Sequence, residues 1–265
     1  MPDLVLVEDE RSGLNVYALP TFLSFGVDAF FTTRAGGVSQ APYDSLNLGN
    51  HVGDDPAAVQ ENRARVAAAA GVEPTRLVIP RQVHGDDVVE ISGPSDEVVA
   101  DGLRTRDDDV ALAILVADCV PLLIADAFSD QFAVVHAGWR GLAAGVLGAT
   151  IAQFPDPTTL YVAVGPHIAP THYQVGSDVA DHFAHVAGAL TGDDSPDERP
   201  RFLLNLAAVV LDQLTDRRVP ASQVFFSPVA SNDAPFFSDR GARPCGRFAL
   251  VARRAHYDDP VVYAL

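Results

Sequence analysis

Three residues that can ligate a soft metal are scattered through the middle of the chain: His84 in "RQVHGDD", Cys119 in "VADCVPL" and His136 in "VVHAGWRG". Two imidazoles and a thiolate form a zinc-type donor set, with copper the weaker alternative. Their separations of 35 and 17 residues match no local metal motif. Taken singly, a cysteine in an apolar run is commonly an inert core residue, and a strand-end histidine is commonly just hydrogen-bonded. Their contexts are alike, however. Each lies close to an apolar run and beside small or kinking residues, Gly85, Pro121, Ala137 and Gly138. A rigid sheet can therefore aim all three at one cleft. Three protein ligands leave zinc's fourth position open, which is the catalytic arrangement rather than the closed structural one.

Other polar groups are compatible with a substrate site. "FTTRAGGVSQAPYDSLNLGNHVGDD" carries Arg34, Asn47 and His51 and matches neither a phosphate-binding loop nor a dinucleotide fingerprint; the plain alternative is a long surface loop. Arg140 follows His136 at an expected helix start, where free N–H groups favour anions. Arg240, Arg243 and Arg247 in "FFSDRGARPCGRFAL" form a basic island. Asp86 and Asp118 are candidates for proton transfer or for orienting an imidazole.

Strands are expected at Val27–Thr33, Leu77–Val83, Val88–Ile91 as its hairpin partner, Ala111–Val116, Val120–Ala125, Phe132–Val135, Leu160–Val164, Val224–Phe226 and Phe248–Val251. "DDPAAVQENRARVAAAAGV" reads as a helix capped by Asp54 or Asp55, with Pro56 in its first turn and Gly71 as its stop. "GLAAGVLGATIAQF" reads as one buried helix, with further helices over Asp178–Leu190 and Leu203–Leu214. "TGDDSPDERP" reads as an acidic surface loop. Adjacent strands without intervening helices favour a mixed α/β (α+β) class: a single-domain layered sandwich over residues 1–265, with mixed sheets flanked by helices.

Composition narrows the partners. Eighteen arginines and no lysine face 35 acidic residues, a formal charge of −17. Such a chain is repelled by nucleic-acid backbones and anionic membranes, and a phosphate-bearing ligand needs a local arginine. No apolar run approaches the roughly 20 residues that span a bilayer, no signal peptide is evident, and two cysteines make no disulfide framework. A cytoplasmic location is expected; the oligomeric state is not legible.

The series "FTTRAGGVS", "SLNLG", "VGDD", "QVHG", "ADG", "ADCVPLL", "HAGWRG", "GPHI" and "FFSDR…GRFA" runs in order over almost the whole chain. It resembles the YfiH-type laccase-domain family, also described as purine nucleoside phosphorylases and as a peptidoglycan editing factor. The resemblance implies a zinc on His84, Cys119 and His136, with Trp139 and Arg140 shaping the pocket. It also implies phosphorolysis of adenosine, inosine, guanosine and methylthioadenosine, and deamination of adenosine. Alternatives are a cytoplasmic hydrolase that edits a peptidoglycan precursor and, less favoured, a copper polyphenol oxidase. Eight histidines with no His-x-His pair offer little to a multicopper cluster. His167, Gln174, Asn205 and Cys245 depart from the family pattern without touching the three implied ligands.

Overall fold

The computed structural model describes residues 4–9, 12–192 and 201–255. Its strands are β1 (Val5–Glu8), β2 (Asn15–Ala18), β3 (Val27–Thr32), β4 (Leu77–Val78), β5 (Val88–Ile91), β6 (Gly102–Thr105), β7 (Ala111–Val116), β8 (Val120–Asp126), β9 (Phe132–Ala137), β10 (Leu160–Val164), β11 (Gln174–Gly176), β12 (Leu190–Gly192), β13 (Arg201–Leu204), β14 (Val224–Phe226) and β15 (Phe248–Arg254). The helices are α1 (Pro56–Ala69), α2 (Trp139–Ala144), α3 (Val146–Ile151), α4 (Ser177–Ala180) and α5 (Leu206–Asp216). One six-stranded sheet runs β1-β2-β3-β15-β7-β4 and a second runs β14-β10-β8-β9-β6-β5, both mixed, while β11-β13-β12 form a small antiparallel sheet.

The central strands are apolar along most of their length because both their faces are covered, with Asp126 of β8 and His136 of β9 standing near strand ends. On β8, Leu123 and Ala125 face the other large sheet, while Val120, Leu122 and Ile124 face a helical layer. β9 divides likewise, with Phe132 and Val134 between the sheets and Ala133, Val135 and Ala137 under the helices. Ala111, Ala113 and Leu115 of β7 pack on the far side against Val66, Ala69 and Ala70 at the α1 end. The result is α1, sheet, sheet, then α2, α3 and α5: a layered α/β sandwich.

Several local expectations need correction. The Leu77–Val83 strand stops at Val78, with only an isolated bridge from Arg81 to Val99 beyond it. Its supposed hairpin partner, β5, instead pairs parallel to β6 in the other sheet. The Gly141–Phe154 helix is two, because Gly145 at φ +100° ends α2 and begins α3. The Asp178–Leu190 helix closes after Ala180. Ala180, Phe183, Val186 and Ala189 repeat every three residues and are joined by successive i to i+3 backbone bonds rather than a continued α-helix. Leu203 and Leu204 belong to β13, and Asn205 caps α5 by accepting the Ala208 N–H at 3.2 Å. Asp55 caps α1. The acidic stretch at 193–200 lies outside the described residues.

Candidate metal centre

His136 alternates with Phe132 and Val134 along β9, so it shares their inter-sheet face, at the strand's end. Pro121 pairs with His136 across the β8–β9 ladder, and Cys119 immediately precedes β8. His84 arrives from the loop beyond β4. The ligand atoms of His84, Cys119 and His136 lie within 4.8 Å of one another. The two imidazoles meet edge to face with ring centroids 4.7 Å apart.

Asp101 organises this convergence, a role that sequence reading missed. It sits in the "ADG" segment just before β6 and is fully buried. Its carboxylate accepts N–H groups from Val83 at 3.1 Å, His84 at 3.0 Å and Gly85 at 2.7 Å, wrapping the loop around one buried charge. Oδ1 also lies 2.7 Å from His136 Nδ1. The carboxylate holds a proton on Nδ1 and leaves Nε2 for a ligand, the usual support for a metal-binding imidazole. His84, at φ +59°, and Asp118, at φ +85°, adopt the left-handed conformation that non-glycine residues seldom occupy. Both flank or belong to the donor set.

The donors perturb one another. Burial opposes ionisation of Cys119, but the charge of His136 and hydrogen bonds from His136 and His84 outweigh it, bringing the thiol to about 6. Burial likewise opposes a charged His136, yet the Cys119 thiolate and the Asp101 carboxylate raise it to about 9. These two shifts describe one thiolate–imidazolium pair seen from both ends. The group fits a metal: soft donors converge from three segments, and a Cβ on Gly138 would stand 2.8 Å from His84 Nδ1 and 2.9 Å from Cys119 Sγ. Only glycine permits that closeness.

The centre opens into a cleft of about 1040 Å³. Its wall carries Arg63, Arg81, Arg140, Arg240, Arg243 and Arg247, a cationic surface in an acidic protein, along with Asp96, Glu97, Asp118 and Asp239. Arg243 and Arg247 both pair with Asp239. Arg81 and Arg140 have no carboxylate partner among the described residues; the Arg140 guanidinium lies 4.2 Å over the Trp139 ring. Arg240 lies 5.3 Å over Tyr173, whose hydroxyl pKa burial pushes up. Partial desolvation against the wall, then the fields of Arg247 and Arg63, lower the pKa of His51.

Of the residues singled out as substrate contacts, His51 and Arg140 line this cleft and Arg34 and Asn47 do not. Arg34 binds the backbone oxygen and carboxylate of Asp44 and lies 5.0 Å over Phe237. Asn47 is fully buried, bonded to Gly49, Asp54 and the Arg247 N–H. It ties the His51 loop to the basic island. Asn62 of α1 anchors the same loop, donating to Ser39, Ser45 and Asn47. Asp86 is exposed and outside the wall. His167 turns its Nδ1 to the Gly165 carbonyl at 2.8 Å.

This fold and donor set define a class. Residues 28–255 match the family described as multi-copper polyphenol oxidoreductase laccase, and the chain belongs to this laccase-like family. Within it, the chain is 42% identical over 227 residues to a purine nucleoside phosphorylase of Pseudomonas aeruginosa, covering 85% of this chain and 92% of that one. It is 37% identical to purine nucleoside phosphorylase YfiH of Escherichia coli, covering 84% and 92%. Among solved structures it resembles YlmD from Geobacillus stearothermophilus with a TM-score of 0.84 and 32% identity, covering 96% and 100%. Despite the family's description, the described residues contain a single His–Cys–His group. No helix among them is long and apolar enough to cross a membrane.

Proposed function

We propose that the chain is a zinc-dependent purine nucleoside phosphorylase with adenosine deaminase activity, acting as one domain in the cytoplasm. Its substrates are adenosine, inosine, guanosine and methylthioadenosine, with inorganic phosphate as co-substrate. The observation that carries this reading is the juxtaposition of an open His84–Cys119–His136 donor set with an arginine-rich wall in one cleft. Zinc is preferred to copper because three donors in one group suit a single non-redox ion with an open position. A zinc ion bound there supplies Lewis acidity to the reacting centre.

The chain's own residues do the rest. In phosphorolysis a phosphate oxygen bonds to C1′ as the C1′–N9 bond breaks, its electron pair and a proton going to the base. Arg140 and Arg240 offset the phosphate charge. Asp101 keeps the His136 proton on Nδ1 and the ring in place. In deamination water replaces the C6 amino group, which leaves as ammonia. The rings of Trp139 and Tyr173 back the Arg140 and Arg240 guanidinium groups that meet the phosphate.

Metal analysis combined with chromatography of adenosine and inosine incubations tests the reading. Free base that forms only with phosphate, beside stoichiometric zinc, supports phosphorolysis; inosine from adenosine without phosphate supports deamination. Stoichiometric zinc with neither product overturns the nucleoside reading. The peptidoglycan precursor then becomes the substrate to test.

A further inference from the structure

Both oxygens of the Asp118 carboxylate are committed to segments far away in the chain. Oδ1 accepts the Ser231 hydroxyl at 2.7 Å and Oδ2 accepts the Arg240 N–H at 2.6 Å. The Asp118 carbonyl accepts the Ile168 N–H at 3.1 Å. One buried residue, next to Cys119, thus gathers three loops at the end of the central strands. Proton transfer is not what this geometry suits, since neither carboxylate oxygen faces the cleft unpartnered.

The bond to Arg240 matters because its side chain enters the cleft. The guanidinium donates to the Gln174 carbonyl at 2.8 Å and lies over the Tyr173 ring. Its remaining N–H groups have no partner among the described residues. With its backbone held from one side and its guanidinium from the other, Arg240 is restrained where it lines the cleft.

We infer that Asp118 is a positioning residue: it latches the Arg240 segment to the metal-ligand strand so that the Arg240 guanidinium meets a phosphate group beside the donor set. This rests on the phosphate-using reading above, and binding of phosphate alone separates the two.

The experiment compares Asp118→Gly with Asp118→Asn in the zinc-loaded protein, titrating inorganic phosphate by calorimetry. Both variants remove the same charge, and both residue types tolerate the left-handed backbone. Asparagine keeps an acceptor for the Arg240 N–H and a donor for Ser231; glycine keeps neither. If Asp118 acted only through its charge, both variants would bind phosphate more tightly than the parent. The expected result is a roughly tenfold or greater loss of phosphate affinity in Asp118→Gly, the size of losing bonds to a charged acceptor, with affinity retained in Asp118→Asn. In the Arg240→Ala background Asp118→Gly adds no further loss. Phosphate binding in Asp118→Gly as tight as in the parent overturns the inference, as does a parent that binds no phosphate. Zinc content and melting curves accompany each titration. If Asp118→Gly does not fold, Ser231→Ala removes one latch bond and keeps the charge. Weaker phosphate binding is then expected, and unchanged affinity counts against the latch. Phosphate binding that responds to Asp118 without any turnover leaves the latch standing and removes the nucleoside reading.

Discussion

Cys119 immediately precedes β8 and His136 lies on β9, neighbouring strands locked in register with Pro121 opposite His136, and the His84 loop is tied to Asp101, whereas the arginines facing them come from α1, α2 and two loops. On the donor side one buried carboxylate, Asp101, satisfies three backbone N–H groups and an imidazole. On the arginine side the anchoring is spread over Asn47, Asn62, Asp118 and Asp239, each holding a piece of loop. The donor side is held closely because a strand, the start of its neighbour and a loop wrapped on a buried carboxylate all resist displacement. The arginine side trades that precision for the reach to surround a ligand. Substitutions should therefore act through metal on one side and through ligand affinity on the other.

The largest expected effect lies on the donor side. Cys119→Ala and His136→Ala each lose zinc and reduce turnover to background while unfolding stays cooperative, read by metal analysis and thermal melts. A fully active Cys119→Ala enzyme would break the comparison at its root.

The two cysteines sharpen it next. In zinc-free protein, Cys119, depressed to about 6, is a thiolate at neutral pH, so alkylation rises with pH around a midpoint near 6. Protons compete with the metal for the His136 imidazole, raised to about 9, as well as for this thiolate, so zinc affinity falls as pH drops below about 9 and more steeply below about 6. Burial raises the thiol of Cys245 despite the neighbouring Arg247, so it stays unmodified over that range. Mass spectrometry of iodoacetamide-treated protein checks both residues; a Cys119 midpoint at the ordinary thiol value would remove the thiolate–imidazolium pair.

Asp101→Asn comes third. It weakens zinc by roughly 10–100-fold and destabilises the fold by about 3 kcal/mol, as expected when a buried charge network loses a partner. Competition with a chelator and urea unfolding measure the two losses. Unchanged zinc affinity would mean that strand geometry alone aims His136.

The smallest effect belongs to the exposed arginine wall. Arg140→Ala raises the KM for phosphate roughly fivefold, about 1 kcal/mol for an exposed cation over an aromatic ring. It leaves zinc content and melting temperature unchanged. Steady-state kinetics at low and high salt separates this from a donor-side effect, since only the arginine side is screened.

The sequence by itself determined most of the strands, because short apolar runs bounded by turn residues leave a buried strand few alternatives. It also determined α1, through a capping aspartate and a stopping glycine, and the acidic charge that restricts partners. Where the period was three residues, at Ala180 to Ala189, the pattern alone could not distinguish a helix from successive turns. A run such as Leu77–Val83 could not reveal that its end is pulled away to wrap a carboxylate. The motifs placed the chain in its family, but nothing in separations of 35 and 17 residues measures distance. Only the tertiary structure, through strand register and the loop wrapped on Asp101, brings His84, Cys119 and His136 together, moves Arg34 and Asn47 off the cleft wall, and assigns Asp101 and Asp118 their partners. Those partners are backbone N–H groups and side chains from remote segments. They become neighbours only once the sheets have packed, so no spacing along the chain encodes them.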